Sequence, residues 1–144
     1  MSDWKTPLRL VEQLDKNGNI HEKGMKKLIS AVGEAAELGQ KLGCDEFIAF
    51  ATSAVRSATN SAEVLDEVEK QTGVRLEILS GEEEARLTFL AARRWYGWSA
   101  GRITNLDIGG GSLELSTGTD EHPEMAFSLD LGAGRLTHLS LIHI

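Results

Sequence analysis

Three consecutive glycines between two strand-like runs are the residues of this sequence best suited to chemistry. In Leu106-Asp107-Ile108-Gly109-Gly110-Gly111-Ser112-Leu113-Glu114, one run delivers a carboxylate at Asp107 just before the turn. Glycine tolerates backbone conformations closed to other residues. A turn of Gly109, Gly110 and Gly111 can therefore aim successive N–H groups at an anion and let it approach closely. Ser112 adds a hydroxyl for phosphate, Asp107 a ligand for a divalent cation or its waters, and Glu114 returns on the next run toward the same cleft. A plain hairpin normally needs one or two such residues, so three point to function.

A second cluster is Ser80-Gly81-Glu82-Glu83-Glu84-Ala85-Arg86. Acidic residues at a helix start complement the macrodipole, which accounts for Glu82 and Glu83 as solvent-facing and capping groups. A glutamate here that faced a cleft could orient a water and take its proton. Helix periodicity does not say which one. A third cluster, Ala51-Thr52-Ser53-Ala54-Val55-Arg56, follows an apolar run and precedes a helix, where open sheets collect ligands. Arg56 offers a bidentate grip on phosphate oxygens, and Thr52 and Ser53 offer hydroxyls. A surface arginine in a loop fits the same residues. The fourth, Leu131-Gly132-Ala133-Gly134-Arg135, reads as a turn into a helix.

These clusters need elements to hold them. Residues 8–14 alternate weakly and read as a strand, and Asp15-Lys16-Asn17-Gly18-Asn19 is a turn. His21 to Leu42 carries an apolar helical stripe that stops at Gly43. Phe47 to Ala51 suits a buried strand. Asn60 with Glu63 resembles a capping box that opens a helix ending before Gly73. Val74 to Leu79 alternates as a strand, and Ser80 with Glu83 caps a helix through Tyr96. Strands at 103–108, 113–116 and 124–131 follow. In Arg93-Arg94-Trp95-Tyr96-Gly97-Trp98, the arginines suit a helix C-terminus and the aromatics suit packing. The sum is an α/β architecture with a mixed β-sheet.

Composition narrows the function. The 144 residues are 41% hydrophobic and 26% charged, with a net charge of −7. That field does not attract a polyanion, which argues against a nucleic-acid partner and requires local donors, with a divalent cation, for phosphate. No apolar run is long enough to span a bilayer, so no membrane partner is expected. The lone Cys44 has no disulfide partner, and a cytoplasmic setting is expected. His21, His122 and His138 show no metal spacing.

Taken in order, the clusters resemble the Ppx/GppA family of exopolyphosphatases and guanosine pentaphosphate phosphatases, over roughly Leu8 to Thr137. The resemblance implies a ribonuclease-H-like lobe of the actin-like ATPase superfamily. It implies processive release of terminal orthophosphate from polyphosphate, with guanosine pentaphosphate as the alternative substrate and Mg2+ as cofactor; a sensor that binds phosphate without chemistry is a further reading. Glu84 matches the family's catalytic base, a choice that rests on the match of Glu84-Ala85-Arg86-Leu87. Arg56 matches the phosphate-binding, catalytic arginine. Asp107 and Glu114 match the residues that organise magnesium, and Gly109 to Ser112 match the phosphate loop. A homodimer is an expectation for a full-length protein.

The family's opening Asp-x-Gly-Ser-Asn type loop and its second lobe have no counterpart here, so this chain alone is expected to show little activity and poor solubility. Residues 139–144 match the translation of a common transposon adapter. Native sequence is accordingly expected to cover 1–138, a partial catalytic region.

Overall fold

The apolar stripe of Met25, Leu28, Ile29 and Val32 folds into helix α1 (Glu22–Lys41) in the computed structural model, which describes residues 4–142. His21 caps it, its Nδ1 accepting from the Gly24 N–H at 3.4 Å. Gly43, at φ 69°, lets the chain leave in a conformation costly for other residues. Two units follow one another, Met1–Ile78 and Leu79–Ile144.

In the first unit, α1 packs on α3 (Ser61–Thr72). Two short strands, β1 (Phe50–Ala51) and β2 (Glu77–Ile78), pair in parallel, with Phe50 opposite Glu77 and Ala51 opposite Ile78. A one-turn helix, α2 (Ser53–Arg56), follows β1 directly. The core holds Leu10, Ile20, Leu28, Val55, Val64, Val68 and Leu76.

Several local expectations are corrected here. Residues 8–14 do not form a strand: Leu10–Gln13 is a 3-10 turn that buries Leu10, and only Leu14 pairs, with Ile20, across the Asp15–Asn19 turn. The run from Phe47 is not a buried strand, because only its last two residues pair while Phe47, Ile48 and Phe50 stand exposed. The strand expected at 74–79 is likewise reduced to Glu77–Ile78. Asn60 sits at the start of α3 but does not cap it. Its side chain instead spans Ile20, accepting from the N–H at 2.9 Å and donating to the carbonyl at 3.1 Å. A long-range backbone pair thus outcompetes the local cap.

The second unit stacks α4 (Gly81–Tyr96) on an antiparallel sheet of β3 (Ile103–Ile108), β4 (Leu113–Gly118) and β5 (Met125–Leu129), in the order β3-β4-β5. Parallel and antiparallel pairing thus occur in two separate sheets, one in each unit. Helix α5 (Ala133–Ile142) follows the second glycine-rich turn. Residues 139–142 continue this helix, while 143–144 lie outside the described residues.

Ala85 and Phe89 form the apolar contact of α4, and Arg93 is fully buried beside them, its guanidinium over the Phe89 ring. Arg93 donates to the carbonyls of Gly97, Gly101 and Gly118 at 3.2, 2.7 and 3.0 Å, tying the helix end to the end of β4. The aromatics after it do not pack as expected: Trp95, Tyr96 and Trp98 are 84%, 66% and 56% exposed. Arg93 takes the interior position, and the helix turns its following residues outward.

Candidate active site

Period-two alternation in β4 puts Glu114, Ser116 and Gly118 on one face and Leu113, Leu115 and Thr117 on the other. Register then aligns neighbours across the sheet. Asp107, Glu114 and Ser128 form one rung, and Asn105, Ser116 and Ala126 form the next. This polar face is the one α4 covers, since the Asn105 amide donates to the Thr88 hydroxyl at 3.3 Å. Glu114, Ser112 and Ser116 are buried. Ser128 donates to Glu114 Oε1 at 2.7 Å. The Ser112 and Ser116 hydroxyls have no hydrogen-bond partner among the described residues. A sheet normally turns its apolar side to a covering helix, so this polar interior serves something other than packing.

The same contacts locate Glu84. Helix α4 runs antiparallel to β3, with Arg93 at Gly118 and Thr88 at Asn105. Four residues back along the helix from Thr88 advance about 6 Å to Glu84. Two residues along β3 from Asn105 advance about 6.6 Å to Asp107. Glu84 and Asp107 therefore lie at the same end of the helix–strand contact, next to the glycine turn.

The three glutamates of α4 have separate surroundings. Glu82 pairs with Arg86 at 2.6 Å in solvent. Glu83 completes the capping box with Ser80, and hydrogen bonds from the Ser80 side chain and N–H hold its carboxyl below the usual glutamate range. Glu84 is half-buried, and its carbonyl accepts from the Thr88 hydroxyl at 3.1 Å.

The glycine turn is anchored from behind. The N–H groups of Ala133 and Gly134 donate to the carbonyls of Gly109 and Gly110, each at 2.9 Å, and Arg135 N–H reaches Gly110 at 3.4 Å. Every peptide bond among the described residues is trans. A trans peptide unit points its C=O and its N–H in opposite directions. Fixing those two carbonyls on α5 therefore turns the N–H groups of Gly110 and Gly111 away from it together, as a nest for an anion. Gly132 makes the anchoring possible. A Cβ there would stand 2.5 Å from the Gly110 carbonyl carbon and collide with the Gly111 carbonyl carbon and the Ser112 nitrogen.

The remaining predicted residues belong to the first unit. Thr52 lines an apolar groove of about 760 Å³ with Leu8, Leu28, Phe47 and Leu76, a lining unsuited to phosphate. Ser53 is buried, and its carbonyl accepts from the Ser57 hydroxyl at 2.6 Å. Arg56 is half-buried in the last turn of α2 rather than in a loop.

Oxygen donors from Asp107, Glu114 and the unpartnered Ser112 suit a hard divalent cation, which also takes water and phosphate oxygens. No cluster of three or more His, Cys, Asp or Glu occurs among the described residues, so two carboxylates are the acidic ligands available. Ser128 and Ser116 went unnoticed in the sequence because cross-strand register decides their place. The alternation of Glu114 and Ser116 with leucines was the visible signal.

A model of the Ppx/GppA phosphatase family matches residues 1–142. The chain is 63% identical over 137 residues to Exopolyphosphatase 1 of Mycobacterium tuberculosis, covering 95% of this chain and 40% of that protein. Identity to Exopolyphosphatase 1 of Mycobacterium leprae is 62%, with the same coverage. The chain thus spans about 40% of the length of the curated relatives it matches. Its fold matches a crystal structure of an exopolyphosphatase from Cytophaga hutchinsonii with a TM-score of 0.80 and 27% identity, over 85% of this chain and 39% of that one. A Ppx/GppA family member from Aquifex aeolicus gives a TM-score of 0.74 at 28% identity, over 90% and 42%.

Proposed function

The chain belongs to the Ppx/GppA phosphatase family, of α/β actin-like ATPase fold, and on that premise we propose that it carries the hydrolytic centre of an exopolyphosphatase. The reaction is hydrolysis of the terminal phosphoanhydride bond of inorganic polyphosphate. The observation that carries this reading is the rung of buried Glu114 and half-buried Asp107, set beside a glycine turn whose Gly109 and Gly110 carbonyls are held by the amides of Ala133 and Gly134.

The N–H groups of Gly110 and Gly111 hold the oxygens of the terminal phosphoryl group, and the Ser112 hydroxyl adds a donor. The Glu84 carboxylate accepts a proton from a water aimed at phosphorus. The new P–O bond forms as the anhydride P–O bond breaks, and the chain shortened by one phosphate departs with the bonding electrons. Asp107, Glu114 and Ser112 would hold Mg2+, which when bound neutralises charge on the phosphate oxygens. Arg56, in the first unit, is proposed as a phosphate-binding residue through its guanidinium. A reducing, cytoplasmic compartment suits the lone exposed Cys44. No helix among the described residues is long and apolar enough to cross a membrane.

The test is phosphate release from polyphosphate with Mg2+, measured for this chain and for a protein of its relatives' length that carries this segment. Little turnover is expected from the short chain. In the longer protein, Glu84→Gln should lower kcat by roughly 10²- to 10⁴-fold while leaving polyphosphate binding intact. Unchanged turnover in Glu84→Gln would remove the base from the reading. A higher kcat/KM for guanosine pentaphosphate than for polyphosphate would reassign the substrate.

A further inference from the structure

Glu114 is 1% exposed, and the hydrogen bonds and ion pairs of the described residues give its carboxylate one partner, the Ser128 hydroxyl at 2.7 Å. Its neighbour across the ladder on the other side is a second carboxylate, Asp107. A buried carboxylate held by one neutral hydroxyl beside a like charge is poorly compensated as a structural element. The same arrangement is well suited to a cation site, where hydrogen bonds from supporting groups orient the ligand carboxylates.

We propose that Ser128 is a positioning residue for the cation: by holding Glu114 Oε1 it fixes the carboxylate plane and leaves Oε2 as the ligand for the metal or its water. This rests on the reading of Asp107 and Glu114 given under Proposed function. The placement follows from register alone. Ser128 is the Cα partner of Glu114 in the β4–β5 ladder, on the face that α4 covers, so no other residue of β5 stands directly opposite that carboxylate. The rung thereby divides its labour across three strands, with β3 and β4 supplying ligands and β5 supplying the group that aims one of them. Half-burial of Ser128 keeps competing water from the bond without removing the hydroxyl's freedom to turn toward Oε1.

The test uses three substitutions at this position in a protein of the relatives' length, compared with Glu114→Gln. Ser128→Thr keeps a hydroxyl, Ser128→Val has nearly the shape of threonine without one, and Ser128→Ala removes the hydroxyl without adding bulk. Two quantities are read: Mn2+ affinity by electron paramagnetic resonance in the absence of substrate, and the Mg2+ concentration for half-maximal phosphate release. Ser128→Val and Ser128→Ala should weaken both by about 10- to 100-fold. KM for polyphosphate at saturating metal should stay unchanged, and Ser128→Thr should behave like the parent.

Metal dependence unaltered in Ser128→Val, together with a strong effect of Glu114→Gln, would overturn the role of Ser128 alone. So would Ser128→Thr failing as badly as Ser128→Val, since the strand would then be responding to shape. No effect of Glu114→Gln on Mn2+ binding would overturn the cation site itself, and this inference with it.

Discussion

Gly132 illustrates how one absent carbon supports a binding site. Its α-carbon lies against the glycine turn so closely that a methyl group would overlap three backbone atoms of Gly110, Gly111 and Ser112. Backbone cannot rotate aside as a flexible side chain can. Gly132→Ala should therefore cost about 1–3 kcal/mol of stability, as overpacking does, and should also loosen the anchoring of Gly109 and Gly110. Chemical denaturation measures the first effect and phosphate binding the second; an alanine variant with parental values for both would refute the close packing. Ser80 is a second single-residue case. With its cap on Glu83 removed, Ser80→Ala should destabilise α4 by about 1 kcal/mol.

The sign of the linked pH effect follows from the lowered carboxyl of Glu83, whose ordinary value is 4.5. A group depressed on folding stabilises the protein above its unfolded value and loses that contribution as pH falls through its folded one. NMR titration should find Glu83 below the ordinary value in the parent and less so in Ser80→Ala, which loses the hydroxyl but keeps the backbone N–H at the carboxylate. No change on losing the serine would show that the Ser80 hydroxyl is not a cause of the lowering.

At the scale of elements, legibility in the sequence followed the range of the interactions. The Ser80–Glu83 capping box, the α1 stripe and the stop at Gly43 depend on residues within one or two turns, and each formed as read. Asn60 shows the limit. Its capping signal was local, but two bonds to Ile20, forty positions away, claimed the side chain. The apolar runs at 47–51 and 74–79 carry strand composition, yet four residues in all pair. Strand formation needs neighbours, and composition cannot supply them. The candidate site shows the same division. Asp107, the glycines and Glu114 were visible because they are consecutive, and the ladder brings the two carboxylates together. Ser128 and the Gly132 contact depend on which strand and turn lie alongside, information no single segment contains.

For the whole molecule, the sheet of the second unit is the feature with the widest effect. With its polar side under α4, its apolar side is left outward: Leu106, Ile108, Met125, Phe127 and Leu129 are between 38% and 60% exposed. A contiguous apolar face of that kind drives association. This chain should bind an apolar dye and sediment as a concentration-dependent mixture, and Leu106→Thr with Ile108→Thr should reduce both while keeping strand propensity in β3. A monomer that ignores the dye at high micromolar concentration would contradict this.

The junction of α5 with the glycine turn has a different consequence. The leading amides of a helix carry its partial positive charge, and here they are consumed by two glycine carbonyls. Hydrogen bonding at one end of a peptide group polarises the other end. The charge is therefore passed on through Gly109–Gly110 and Gly110–Gly111 and emerges at the amides on the far side. The turn works as the tip of a helix to which it does not belong, one peptide plane further out.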